Sequence, residues 1–198
     1  MVQVTKISTQ KETEDGIIFR GRTEADICGM VHYVCCGNQQ EKPILSGSRG
    51  FYNSNPSDIA TEIINVQILY NKLKGMRVRG AIVNIPAADL HAGRYMQELE
   101  CICFNIAGYF FYKGFQSVYG VFSKDNIFSI WYVINPVSYE DGSKFRINSG
   151  DRLSDLYVCA QSVVNQVTGI VDPNICFNFS SLEYYPYTYE INNCYSGI

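Results

Sequence analysis

Histidine is almost absent from this chain, since His32 and His91 are the only two among 198 residues. Two imidazoles cannot form an imidazole-rich metal site, although they could join carboxylates in a mixed one. His32 precedes Tyr33, and adjacent residues on a helix point to different sides. We therefore expect both histidines to have structural places rather than a catalytic partnership with a tyrosine.

Signature motifs of several enzyme classes are also missing. The chain has no Gly-x-Ser-x-Gly, and no Gly-x-Gly-x-x-Gly opens a helix. The segment Gly47-Ser-Arg-Gly lacks the lysine and the serine or threonine of a phosphate-binding loop. These absences argue against a serine hydrolase, a dinucleotide-binding enzyme and a P-loop nucleotidase.

Positive charge is in deficit, with a formal net charge of -3 and a sequence pI near 5.4. A broad footprint on duplex DNA needs many lysine and arginine contacts to phosphate, so this class of binding is disfavoured. A local basic stretch remains, and its side chains are candidate DNA contacts: Lys72, Lys74, Arg77 and Arg79. The alternative is a solvated helix end followed by a strand start.

Long apolar runs are lacking too. The longest, residues 101–112, contains Asn105 and Gly108 and is too short to cross a bilayer. The first residues show no charged segment followed by an apolar signal core, so we expect a cytoplasmic protein with no membrane partner. Eight cysteines are present without any Cys-x-x-Cys pair, which favours free, buried thiols over a zinc site.

Hydrophobic periodicity predicts one α/β (α+β) domain with a mostly antiparallel sheet flanked by helices. The stretch before Pro56 is predicted to be irregular, because it is broken by Gly47, Gly50, Asn53 and Asn55. The domain is expected over residues 1–170, with the Tyr-rich segment 171–198 packed on it. Strands are predicted at 2–8, 77–85, 116–122 and 127–135, and helices at 23–36, 56–73, 92–112 and 151–167.

Two short motifs end the predicted hairpin: Val133-Ile-Asn-Pro-Val-Ser-Tyr and Gly142-Ser-Lys-Phe. They resemble the signature of relaxases, the mobilisation nucleases of plasmids and conjugative transposons. In that family one histidine, then a pair flanking one residue, precede a β-branched run, Asn-x-Val-Asn, an aromatic residue and a Gly-Lys-Lys turn. The resemblance covers about residues 1–170 and implies a relaxase-like (HUH-endonuclease-like) architecture, with Lys144 as a further DNA contact.

An ungapped alignment from Asn135 places the three metal-binding histidines of the family on Phe122, Ser129 and Trp131. The resemblance also identifies Tyr33, within Val31-His-Tyr-Val, as the candidate nucleophile, and Lys42 as the lysine downstream of it. A tyrosine near a helix end is equally typical of core packing. Since the aligned residues supply no imidazole, we expect metal-dependent nicking to be lost or impaired and no cofactor to be bound.

Three functions stay open at this point. The first is a DNA-binding or accessory module of mobilisation, with single-stranded DNA and mobilisation proteins as partners, using exposed members of its 15 tyrosines and 11 phenylalanines. The second is an active nicking enzyme in which carboxylates such as Asp125 hold Mg²⁺ or Mn²⁺ beside Tyr33. The third is a protein-interaction domain with a filled cleft and no DNA role.

Overall fold

The computed structural model describes residues 4–6, 21–145, 150–170 and 176–179. A single 3₁₀ turn at Ala87–Asp89 follows the third strand. The described elements are, in chain order, β1 (Val4–Lys6), α1 (Glu24–Cys36), β2 (Leu45–Arg49), α2 (Pro56–Leu69), β3 (Arg79–Pro86), α3 (Tyr95–Tyr112), β4 (Ser117–Lys124), β5 (Ile127–Ile134), α4 (Gly150–Thr168) and β6 (Cys176–Phe179).

The strands form one sheet in the order β1-β6-β3-β5-β4-β2. β1 and β6 run parallel, whereas the other neighbouring pairs are antiparallel. The predicted hairpin is β4–β5, and its register runs from Lys124 opposite Ile127 to Ser117 opposite Ile134. Asp125 and Asn126 form its tight turn with φ of 51° and 61°, values that asparagine and aspartate tolerate best after glycine. The prediction of a mostly antiparallel sheet flanked by helices is confirmed.

Helices cover both faces of the sheet, because side chains alternate between the faces along each strand. On one face α1 and α2 pack on Ile82, Val118 and Val133. On the other face α3 and α4 pack on strand residues that include Val83 and Ile130. The two cores are thus separated by the sheet, and a site on one face is independent of a site on the other.

Gly120 lets α1 lie directly on the sheet. A Cβ added at Gly120 would overlap the carbonyl oxygen of Val34, which belongs to the helix backbone and cannot rotate away. Gly120 pairs with Trp131 on β5, so this close approach brings the last turn of α1 over the centre of the hairpin.

Two strands differ from the sequence prediction. The stretch before Pro56 was expected to be irregular because of its glycines and asparagines. This is wrong for β2, because the pairing of Leu45–Arg49 with β4 outweighs the weak strand preference of Gly47. β6 was not predicted; it lies within 171–198 and pairs with β3 on one side and β1 on the other. Strand 2–8 is observed over Val4–Lys6, and the polar stretch 9–16 lies outside the described residues.

The observed ends of some helices and strands differ from the predicted ends by a few residues. β3 begins at Arg79 rather than at 77, and α3 begins at Tyr95 rather than at 92, after a turn that includes Arg94.

In the part of the chain that the structure describes, no helix combines the length and the apolar character needed to cross a bilayer.

Candidate functional site

Tyr33 lies in the last turn of α1, whose two ends are fixed by local hydrogen bonds. Thr23 and Asp26 form a reciprocal capping box at the start, as the sequence Thr-Glu-Ala-Asp predicts. Gly37 has φ 73° and donates its N–H to the Tyr33 carbonyl at 2.7 Å, which ends the helix. The side chain of Tyr33 is directed to the sheet and only 6% exposed.

The Tyr33 ring packs against two aromatic residues of the hairpin. Its centroid lies 5.0 Å from that of Phe122 on β4, with the planes 9° apart, and 5.6 Å from that of Trp131 on β5, edge to face. Phe122 and Trp131 contact each other at 5.9 Å. We call Tyr33, Phe122 and Trp131 the aromatic triad; offset-stacked and edge-to-face rings are favourable arrangements for aromatic pairs.

Ser129 is the third residue that the alignment places at a metal-binding position of the family, beside Phe122 and Trp131. It pairs directly with Phe122 across the hairpin, and it lies two residues from Trp131 on the same strand face. Its hydroxyl donates a 2.6 Å hydrogen bond to Oδ1 of Asn84 on β3. The three aligned positions therefore share one face of the sheet, the face that α1 covers.

The residues at these positions do not fit a divalent cation. Phenyl and indole rings supply no ligand atom of the kind that Mg²⁺ or Mn²⁺ prefers, and one hydroxyl is a poor substitute for three imidazoles. Within the described ranges, no group of three or more His, Cys, Asp or Glu side chains is close enough to hold a metal ion. The aromatic triad instead belongs to the hydrophobic core between α1, α2 and the sheet.

Glu41 is the polar neighbour of Tyr33 that sequence reasoning missed. The Tyr33 hydroxyl donates to Glu41 Oε2 at 3.3 Å. Asn38 fixes the loop that carries Glu41, because its side-chain oxygen accepts from the backbone N–H groups of Gln40 and Glu41 at 2.8 and 2.7 Å. The Gly37-Asn38 pair after the helix was the available signal for this turn. Asp125, the carboxylate considered for a metal site, is exposed at the tip of the hairpin.

Cys35 lies two residues after Tyr33 and is no substitute nucleophile. Burial, followed by the neighbouring Cys36, raises the pKa of the Cys35 thiol to about 12. At neutral pH it is a protonated thiol, which reacts weakly.

The lysines and arginines predicted to contact DNA differ in how exposed their side chains are in the structure. Lys144 donates from Nζ to the backbone carbonyl of Lys74 at 3.1 Å, and the side chains of both lysines are exposed. Lys72 and Arg79 are half-buried. Arg77 is directed inward: its side chain is 7% exposed, Nε donates to Gln67 Oε1 at 2.8 Å, and the guanidinium pairs with Glu24 at 3.3 Å. A phosphate contact by Arg77 would require it to leave both partners.

Asn135, the residue that anchors the alignment, is fully buried and has a structural role. Its Nδ2 donates to Gln116 Oε1 at 3.0 Å, and its Oδ1 accepts from Gln67 Nε2 and the Val137 N–H at 3.2 Å each. It thus joins α2 to the residues that flank β4 and β5, as buried polar groups need partners. Ser138, in the same motif as Asn135, accepts from the backbone N–H of Glu140 at 3.2 Å and stabilises the following turn.

The two histidines lie on different helices or their flanks, at the start of α3 and within α1. His91 Nδ1 lies 2.7 Å from Glu98 Oε1 at the start of α3, and His32 is half-buried on α1.

Comparison of the chain with protein-family models, with curated proteins and with solved structures finds no match in any of the three.

Proposed function

We propose that this chain is a relaxase-like protein of DNA mobilisation that acts as a DNA-binding or accessory module and has lost metal-dependent nicking. One observation carries the proposal: Tyr33 stacks on Phe122 and meets Trp131 edge to face. The nucleophile position and the metal positions were identified in separate segments of the sequence. Their contact in space is the arrangement that a relaxase-like architecture requires.

The chemistry of the site supports the loss of nicking. Attack by a tyrosine on a phosphodiester needs a cation that polarises the scissile phosphate and stabilises the charge of the transition state. Here two of the three metal positions are filled by large rings, which also occupy the space that phosphate would need. The carboxylate of Glu41 beside the Tyr33 hydroxyl repels a phosphate in addition.

An active enzyme with an altered metal site is the less supported alternative. Glu41 brings one carboxylate to Tyr33, and one carboxylate does not replace three imidazole ligands. A protein-interaction domain without a DNA role is the second candidate, and the filled state of the cleft, with Tyr33 and Phe122 only 6% and 2% exposed, favours it. Single-stranded DNA and other mobilisation proteins are the partners that the first reading implies.

Equilibrium binding separates these functions. Fluorescence anisotropy of labelled single-stranded oligonucleotides, plain and hairpin-forming, is measured across a salt series. We expect binding that weakens as salt rises, since neutralised phosphates release counterions. Lys74→Ala/Lys144→Ala tests these two exposed lysines, and Arg22→Ala/Lys124→Ala, which also removes two exposed positive charges, is the matched control. Absence of binding at low salt would contradict a DNA role and favour the interaction domain.

A further inference from the structure

A groove of about 600 Å³ lies on the outer side of α3, on the opposite face of the sheet from Tyr33. Its lining includes Arg49 from β2 and five residues of α3 and its end, Phe104, Gly108, Tyr109, Tyr112 and Lys113. We call this the α3 groove. Phe104 is 50% exposed and Tyr112 81% exposed, so part of each ring is accessible to a partner.

Cations lie over these rings. The Arg49 guanidinium carbon is 4.0 Å from the centroid of Phe104 and 5.9 Å from that of Tyr112. Lys113 Nζ is 5.1 Å from the centroid of Tyr109. Neither cation is in a salt bridge with another described residue. Both charges therefore remain available to an anion, while the aromatic rings hold the guanidinium in place.

Helical spacing aligns the aromatic residues into a platform. Phe104, Gly108 and Tyr112 follow one another at intervals of four, so they lie on one side of α3. A Cβ at Gly108 would find its nearest neighbours only at 3.8 Å, on Arg49, and 3.9 Å, on Tyr112. The absence of a side chain at Gly108 thus leaves room for the Arg49 guanidinium beside the two rings. At 1.5 Å per residue the platform extends over about 12 Å.

We infer that the α3 groove binds an unpaired segment of single-stranded nucleic acid, which under the proposed function is DNA. Every base offers a flat face that stacks on Phe or Tyr rings, and each phosphate offers a negative charge to Arg49 or Lys113. A platform of about 12 Å accommodates roughly three nucleotides at about 3.4 Å each. Among the residues whose side chains the structure describes, Glu100, one turn before Phe104, is an acidic neighbour on α3 and does not line the groove.

The charges favour nucleic acid over a protein partner in this groove. Protein interfaces are enriched in arginine and aromatic residues but depleted of lysine, so Lys113 is the residue that favours nucleic acid. Here Arg49 and Lys113 stand within the aromatic set itself rather than around its rim. This assignment rests on the proposed function for the choice of DNA, but its contacts lie on other residues than the aromatic triad and the Lys74–Lys144 pair.

The test uses the whole chain and two probes, a 12-nucleotide oligothymidine and the matching oligouridine, so that DNA and RNA are compared directly. Phe104→Ala, Tyr112→Ala and Arg49→Gln are each expected to weaken binding about 10-fold, the order expected for one base-stacking or phosphate contact. Phe104→Trp should restore it. Tyr52→Ala is the control, since Tyr52 is 98% exposed beside α2. Unchanged thermal midpoints show that the variants fold.

Photo-crosslinking locates the contact. Oligothymidine carrying 5-iodouracil is irradiated with the protein, and the modified peptides are identified by mass spectrometry. Adducts on Phe104, Tyr109 or Tyr112 support the inference. Binding that the groove variants leave unchanged, with adducts elsewhere, overturns the groove but leaves the DNA-binding function standing. No binding of either probe by the unmodified chain overturns both, and stronger binding of oligouridine overturns the assignment to DNA.

Discussion

The ring of Tyr33 lies nearly parallel to that of Phe122, with the centroids 5.0 Å and the planes 9° apart. The contact depends on the ring, whereas nucleophilic chemistry depends on the hydroxyl. Substitutions that remove one and keep the other therefore distinguish a core residue from a catalytic one.

Tyr33→Phe should change stability by about 1 kcal/mol or less, because it keeps the buried ring and removes the hydroxyl, which donates a 3.3 Å hydrogen bond to Glu41. Tyr33→Ala should lower the free energy of unfolding by about 3–5 kcal/mol, since it removes a buried ring and leaves a cavity. Urea denaturation at neutral pH measures both. Tyr52→Ala, at a 98% exposed ring, should change stability by about 0.5 kcal/mol or less. A small loss in Tyr33→Ala would contradict the core role.

The aligned positions should accept a metal when their histidines are introduced. In Phe122→His/Ser129→His/Trp131→His, two imidazoles face each other across the hairpin and the third is two residues along the same face. We expect this variant to be less stable than the unmodified chain and to regain stability in Mn²⁺, by about 2.7 kcal/mol when the ion is at 100 times its Kd.

The control for the metal experiment keeps the number of histidines and moves one of them. Phe122→His/Trp131→His combined with Ser123→His places the third imidazole on an exposed position of the opposite face. Its melting temperature should respond less to Mn²⁺. A folded triple variant that Mn²⁺ does not stabilise would show that the three positions do not converge as the alignment requires.

Gly120→Ala should destabilise the protein strongly. The added methyl group meets the Val34 carbonyl oxygen, and relief requires α1 to move away from the sheet. Overpacking of this kind costs about 1–3 kcal/mol and sometimes more. Gly93→Ala is the matched control, because a Cβ there has no neighbour within 4 Å. Equal thermal midpoints for the two variants would contradict the packing of α1 on β4.

Stability should fall in acid through Glu98. Burial on its own raises the pKa of this carboxyl, but hydrogen bonds from the His91 backbone and ring and the charges of His91 and Arg94 outweigh it, so that the net pKa is lowered. A carboxyl with a lowered folded pKa stabilises the fold above its unfolded pKa, near 4.5, and this contribution is lost as pH falls through the folded value.

Urea denaturation between pH 6 and pH 3 measures this effect. Glu98→Gln should be about 1–3 kcal/mol less stable than the unmodified chain at pH 6 and closer to it at pH 3. Asp58→Asn, an exposed carboxyl in the first turn of α2, is the control. A difference between Glu98→Gln and the unmodified chain that stays constant over this range would show that the carboxyl does not titrate as its contacts indicate.

Local signals in the sequence were enough for the elements that carry them. The Thr23–Asp26 capping box, the Pro56 start of α2 and the two-residue turn at Asp125 each act within a few residues. β2 and β6 were missed because neither has a strong local preference for strand. Both exist through pairing with β4 or with β3 and β1, which are distant in sequence.

The candidate site shows the same difference between residues that the sequence identifies and contacts that only the fold creates. Tyr33, Phe122 and Trp131 were selected from sequence, and the structure brings them into contact. Arg77 was selected for its charge, yet Gln67 and Glu24 hold it in the interior, which no local pattern indicates. The α3 groove was not foreseen, because Arg49 and Phe104 meet only through the packing of α3 on β2.

The most direct test of the account is a search for a covalent tyrosine–DNA adduct under conditions in which DNA binding is established. Single-stranded oligonucleotide is incubated with the protein in Mg²⁺ or Mn²⁺, and denaturing gels with mass spectrometry detect any product attached to Tyr33. The account predicts salt-sensitive binding with no adduct. An adduct at Tyr33 that requires the metal and disappears in Tyr33→Phe would contradict it, because the aromatic triad would then open to form a working nicking site.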